Sequence, residues 1–334
     1  MMAREFIDGF ETGDFGLWDT SALDANSTVV ANSLNFPGGS YCFHTYTGWL
    51  SRTVTSRSAY YVAMRLMLKS NDINQSFIQF RNGTTVLGCA RIDNDNNYHH
   101  VKIYRGDEAN LIATGATATP FGTSPYTPFH IEFYYAPSTT SGSFIVKING
   151  TTDANLNITG AQTSNNDLNI DNIRIGSWGS DCTYIDDVVI ETAGWIGRTQ
   201  IEGLVPNGAG ATTQWTPSAG SNYQCVDETP KSDSDSVSTN TNDNIDTYAM
   251  SDLVGTGTVK AVALCVRAKY DGTPNGTNIA GVVRTGGSNY AGSDKALATS
   301  YSSNQWLWET NPSTSSTWAA SAVNGLEAGI KMRA

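Results

Sequence analysis

Charged side chains are scarce in this sequence, at 15% of 334 residues against a typical value of about 25%. Only 20 are Lys or Arg, the net charge is -11, and the cations are scattered. Phosphate backbones need clustered cations, so nucleic acid is excluded as a partner. No stretch approaches the ~20 apolar residues of a membrane span. The opening MMAREFIDGFETGDFG has acidic residues and glycines where a secretory leader needs an apolar run. The expectation is a protein made in the cytoplasm without a signal peptide. Cysteine is limited to Cys42, Cys89, Cys182, Cys225 and Cys265, with no C-x-x-C spacing for zinc or dithiol redox chemistry. Buried thiols are expected, with Cys265 acting as a small hydrophobe in VKAVALCVRAKY. Walker loops, G-x-G-x-x-G after a strand and G-x-S-x-G elbows are missing too, so no cofactor is expected.

Alternation of apolar and polar residues is what the chain has in place of helical periodicity. PFHIEFYY, GSFIVKING, DNIRIGSW and TYIDDVVI follow one another between Pro128 and Ile190, each with the period of a strand that has one face on a core. Upstream, Tyr60 to Lys69, Ser76 to Arg81, Thr84 to Ile92 and Tyr98 to Gly106 read the same way. Asn82-Gly83 and Asn149-Gly150 suit two-residue hairpin turns, because both residue types tolerate positive φ. After Ile190 the alternation fades, which places a domain boundary near Ala193, between residues 1–193 and 194–334. Glu228 to Asp246 reads as a long polar surface loop. TVKAVALCVRAKY and TNIAGVVRTGG are strands, and a final GIKM adds another. TWAASAVNGLEAG suits one short helix capped by Ser316 or Thr317, with Trp318, Val323 and Leu326 inward. The fold class predicted is all-β: two antiparallel β-sandwich (jelly-roll) domains and one short helix near the C-terminus.

From Phe6 to Ile190, the opening F-x-D-G-F-E, the K-I-N-G hairpin at Lys147 to Gly150, I-R-I-G and Y-I-D-D-V-V-I resemble laminin G-like and concanavalin A-like jelly rolls. From Leu204 to Ile330, PNGAGATTQWTPSAGSNYQCVDE, VKAVALCVRAKYDG, VVRTGGSNYAGSDKALATSY and WETNP resemble a module of tailed-bacteriophage structural proteins. That second resemblance implies a virion protein of the capsid exterior or tail. Its implied partners are other virion proteins and copies of itself, in an oligomer that analogy with phage fibres makes a trimer.

Glycoside hydrolysis needs two carboxylates flanking the scissile bond, about 5 to 9.5 Å apart. Related jelly-roll hydrolases carry E-x-D, and no Glu here has Asp two positions later. Asp186 and Asp187 are adjacent and would face opposite ways in a strand, one of them bonding structurally at the sheet end. Catalysis is therefore not expected. Asp93, Asp95 and Asn97 begin like a calcium loop, but Tyr98 and Tyr104 stand where Gly and a bidentate Glu belong. A plain Asn/Asp turn is the simpler reading and a metal site the alternative; the same holds for Asp233, Asp235, Asp243 and Asp246. His44, His99, His100 and His130 read as solvated or capping. Aromatics remain: Trp49, Tyr98 and Trp178 fall at strand ends or loops, where glycan contact and packing both fit. Trp215, Trp306, Trp308 and Trp318 are expected in the core.

Three functions follow in order: a non-enzymatic virion structural protein, a tail adhesin binding a host surface glycan, and a glycan depolymerase.

Overall fold

The computed structural model describes residues 4–31, 39–68, 74–95, 98–116, 127–177, 183–272 and 276–334. The chain is all-β, its strands antiparallel, with one five-residue helix near the C-terminus. It forms two compact units, residues 1–10 with 18–201 and residues 11–17 with 202–334.

The first unit contains β1 (Arg4–Asp8), β2 (Thr20–Leu23), β3 (Thr28–Ala31), β4 (Tyr41–Thr45), β5 (Gly48–Arg57), β6 (Tyr60–Leu68), β7 (Asn74–Asn82), β8 (Thr85–Asp95), β9 (Tyr98–Arg105), β10 (Asn110–Thr114), β11 (Phe129–Ala136), β12 (Gly142–Ile148), β13 (Thr151–Ala161), β14 (Ile170–Ser177) and β15 (Thr183–Glu191). Sheet A runs β13-β12-β11-β6-β15-β4-β3, with β1 also on β15, and sheet B runs β10-β9-β8-β7-β14-β5-β2. Phenylalanines join the two layers: Phe80 of sheet B packs on Phe133, Tyr135 and Phe144 of sheet A, at ring separations of 6.4, 4.8 and 6.0 Å. Gly88 faces the same core because a Cβ there would lie 2.6 Å from the Tyr135 ring. At the chain entry, buried Asp8 accepts the Phe10 amide and the Trp18 indole N–H, both at 2.8 Å.

Turn chemistry explains the hairpins. Asn149 and Gly150 take φ of 51° and 86° between β12 and β13, as their residue types predict. The β7–β8 turn lies one residue later than expected. Asn82 pairs with Thr85, so Gly83 and Thr84 make the turn, and the Asn82 amide instead donates to the Asn169 carbonyl.

Asp186 and Asp187 depart from strand alternation. The β15–β6 register shifts between Asp186 and Val189, Asp187 takes φ 52°, and both carboxylates are buried. Asp186 is in register with Arg65, and the bulge turns Asp187 to the same side, the face of sheet A away from the phenylalanine core, so the opposite-face expectation fails here. Asp187 pairs with Arg65 at 3.2 Å and accepts the Ile201 amide at 2.6 Å. Arg65 also donates to the Thr199 carbonyl, Glu132 accepts the Gly197 amide, and Ile196 packs with Ala63 and Val189. These bonds draw residues 194–201 into the first unit, so the boundary falls after Ile201 rather than at Ala193.

The second unit contains β16 (Pro206–Thr213), β17 (Thr216–Pro217), β18 (Val237–Ser238), β19 (Ile245–Met250), β20 (Val262–Ala268), β21 (Asn278–Thr285), β22 (Ser288–Ala291), β23 (Lys295–Ala296), β24 (Ser302–Trp308), α1 (Ala320–Asn324) and β25 (Glu327–Arg333). Its six-stranded sheet runs β16-β19-β25-β21-β22 with β23 on β21, and β20 pairs with β24 as a separate ribbon. Leu264 and Trp306 of that ribbon approach Gly281 of β21 so closely that a Cβ there would meet them at 3.0 and 2.7 Å. Trp318, Val323, Leu326 and Ala328 form one buried cluster. The helix starts from Ala319 rather than from Ser316 or Thr317, and no side chain caps it.

Trp306 and Trp318 are buried, as expected, and each indole N–H is bonded, to the Ser293 and Trp308 carbonyls. Trp308 is half-buried against the Trp318 cluster. Trp215 is half-buried outside it, donating to the Asn244 carbonyl at 3.2 Å. Asp246, the last residue of the stretch read as a surface loop, is instead fully buried and bonded to Gln214, Trp215, Asn222 and Tyr248. Composition hid it because a single inward carboxylate changes no average.

Candidate functional site

Strand register builds the site. In sheet B, Tyr104 pairs with Cys89, Cys89 with Gln79, Gln79 with Arg174, and Arg174 with Ser51. Cross-strand partners share a face, so these side chains form a row across β9, β8, β7, β14 and β5. Phe80, next to Gln79, points into the core, so the row lies on the outer face of the sheet. Parallel to it, Arg81 pairs with Asn172 and Asn172 with Thr53 on one side, while Gly176 pairs with Trp49 on the other.

Trp49 is half-buried, and the Arg174 guanidinium lies over its ring, 3.6 Å from the centroid. Trp49 also lines a cleft of about 410 Å³ with Leu23, Asp24, Thr47 and Ser177. Ser51 donates to Asn172 Oδ1 at 2.8 Å. Arg81, 6% exposed, donates to Gln79 Oε1 at 2.8 Å and also bonds the Thr84 carbonyl. Burial holds the Arg81 guanidinium below the ordinary arginine range. Burial and then the charge of Arg81 do the same to Arg174.

The far end of the face differs. Arg91 pairs with Asp93 and Glu108, Lys102 pairs with Asp93 at 3.0 Å, and Ser76 bonds Glu108. These groups neutralise one another and tie the turn after β9 to β7 and β8. Cys89 lies beneath them, and burial pushes its thiol up to about 12.

Of the residues singled out from sequence as glycan contacts, Trp49 is the one described in this constellation, which also holds Cys89 and, at its far end, Asp93. Asn97 and Trp178, and the side chains of Asp95 and Tyr98, lie outside the described residues. Asp93 stands on a strand with both oxygens engaged by cations, which makes it a cross-strand tie rather than the opening of an Asx loop. Asp233 and Asp243 hold Arg267 and Lys331 in ion pairs. His99 and His130 are buried, not solvated, because each occupies a sheet position facing packed protein; His100 bonds the Gly115 carbonyl, and His44 stacks on Tyr184 at 4.4 Å. Sequence reading missed Gln79, Arg81 and Arg174. Their strands alternate visibly, but nothing local says that β7 and β14, about ninety residues apart, are neighbours.

No protein-family model and no curated protein matches this sequence. Among solved structures, cellulose induced protein Cip1 is similar over 58% of this chain and 100% of its own, at 16% identity and a TM-score of 0.42. Alginate lyase Aly36B is similar over 57% and 95%, at 13% identity and TM-score 0.36. Domain 4 of AbnA, a GH43 extracellular arabinanase from Geobacillus stearothermophilus solved with arabinotriose, is similar over 57% and 94%, at 10% identity and TM-score 0.37.

Proposed function

We propose that this chain is a non-enzymatic carbohydrate-binding protein whose sugar site is the outer face of sheet B around Trp49. The observation that carries the reading is the indole itself, which lines a cleft of about 410 Å³ and has the Arg174 guanidinium over its ring. A pyranose offers an apolar C–H face and a rim of hydroxyls. An aromatic plane beside hydrogen-bonding side chains matches both. The cleft volume lies in the roughly 300–1,000 Å³ range of small-ligand sites. Sheet geometry holds the polar row in place, so little side-chain entropy is lost on binding.

Binding without hydrolysis is favoured by the state of the carboxylates: in the cleft, Asp24 accepts from the Ser27 hydroxyl, which holds it below the usual carboxylate range, and the others lie at the far end of the face. Asp93 and Glu108 are both engaged by Arg91. A glycosidase needs one carboxyl kept protonated to reach the leaving oxygen, and anions locked to a guanidinium serve as structural ties. The resemblance of residues 204–330 to tailed-phage modules supports display on a virion as the setting, with the second unit meeting particle proteins or copies of the chain.

A glycan array probed with the full chain and with Trp49→Ala tests the binding reading. Saturable binding that weakens about two- to tenfold in the variant is expected, since aromatic contacts contribute about 0.5–1.5 kcal/mol. An array on which the folded wild-type chain binds nothing would sink it.

A further inference from the structure

Around Arg174 the outer face carries donors without a carboxylate partner, the Asp24 carboxylate of the Trp49 cleft being bonded to Ser27. Arg174 makes no hydrogen bond or ion pair among the described residues, and its Nε is buried without a partner. Beside it in register, Gln79 has its oxygen occupied by Arg81. Arginine only donates, so Gln79 must present Oε1 to it, which leaves the Nε2 hydrogens toward the row. Two residues along β14, Asn172 has its oxygen occupied by Ser51 and likewise keeps an N–H₂ group. Arg81 adds a second positive charge and forms no ion pair among the described residues, its bonds going to Gln79, Gly83 and Thr84.

Arg174 and Arg81 lie close enough that the charge of Arg81 lowers the proton affinity of Arg174, and neither forms an ion pair among the described residues, so the arrangement is uncompensated. It stands out in a chain with eleven more acidic than basic groups. The same face solves the problem differently at its other end, where Arg91 and Lys102 each have a carboxylate partner. Repulsion left unpaired inside a fold is stabilised when a ligand supplies the missing charge.

We propose that the glycan recognised here is acidic, its oxyanion held by Arg174 with the Gln79 and Asn172 amide groups while its ring rests beside Trp49. This deepens the glycan-binding reading and rests on it. The oxyanion is a sugar carboxylate or a sulfate ester, both of which fit a fork of N–H donors.

The test uses the full chain on paired polymers: polygalacturonate and its carboxyl-reduced form, dextran sulfate and dextran, together with arrayed acidic and neutral bacterial glycans. Two variants accompany the wild type. Arg174→Gln removes the guanidinium, and Gln79→Glu places an internal carboxylate against both arginines. Expected is binding to an acidic member at least about tenfold tighter than to its neutral partner, weakened by salt and reduced at least about tenfold by either variant. Both variants should keep the wild-type melting temperature or raise it, because each relieves repulsion. The polymer pair that responds identifies carboxylate or sulfate. Equal binding to acidic and neutral partners, unmoved by either variant, would overturn the acidic assignment and leave a neutral glycan site standing. Lowered melting temperature with unchanged binding would make Arg174 a structural brace for Trp49 and overturn it too. Binding to no glycan at all would remove both readings.

Discussion

Each carboxylate oxygen of fully buried Asp246 accepts two hydrogen bonds. Oδ1 takes the amides of Gln214 and Trp215 at 2.8 and 3.2 Å, and Oδ2 takes Asn222 Nδ2 and the Tyr248 hydroxyl at 2.7 and 2.8 Å. Burial, and after it the Asp246 charge, drive the Tyr248 phenol well above its ordinary range, which keeps that hydroxyl a donor. Asp246→Ala strands four donors, and the expected loss is about 3–5 kcal/mol, read as a lower denaturation midpoint for the second unit. A loss under about 1 kcal/mol would mean water satisfies the donors and the carboxylate is not a hub. The residue was invisible in sequence as a core position because it ends a stretch of Ser, Thr, Asn and Asp. Trp49 was visible because an aromatic at a strand end is conspicuous one residue at a time. Arg174 was not, because its meaning depends on what lies opposite.

Elements show where local rules suffice and where they stop. Strands alternate because one face meets the Phe-rich core, and that pattern was readable for β6 to β9, β11, β12, β14 and β15. The Asn149-Gly150 turn was readable for the same reason: its chemistry is contained in two residues. The Asp187 bulge was not, since its cause is distant. Residues 194–201 need an anchor on the outer face of sheet A, and the bulge turns a carboxylate toward Arg65 and the Ile201 amide. Removing the cation tests that account. Arg65→Met leaves Asp187 charged and buried, and the expected cost is about 3–5 kcal/mol. Pairing it with Asp187→Leu should give a double variant markedly less destabilised than the sum, by at least about 1 kcal/mol. Strict additivity in chemical denaturation would show that the two groups do not act through each other.

At the scale of the whole molecule, the two units have separate cores built from different residues. Phe80, Phe133 and Phe144 with their neighbours fill the first, and Trp318, Val323 and Leu326 anchor the second. The division into two was legible because alternation fades after Ile190, whereas its position was not, since residues 194–201 pack by side chains too sparse to form a pattern. The excursion of residues 11–17 into the second unit left no trace in composition either. Units with separate cores unfold as separate cooperative steps unless a large shared interface couples them. Differential scanning calorimetry of the full chain should therefore resolve two transitions, with Asp246→Ala lowering one and Arg65→Met lowering the other. An acidic glycan ligand should raise only the transition that Arg65→Met lowers, because a ligand stabilises the unit that holds its site. A single transition moved equally by both substitutions would mean that the units fold as one body, and the glycan would then stabilise the whole chain.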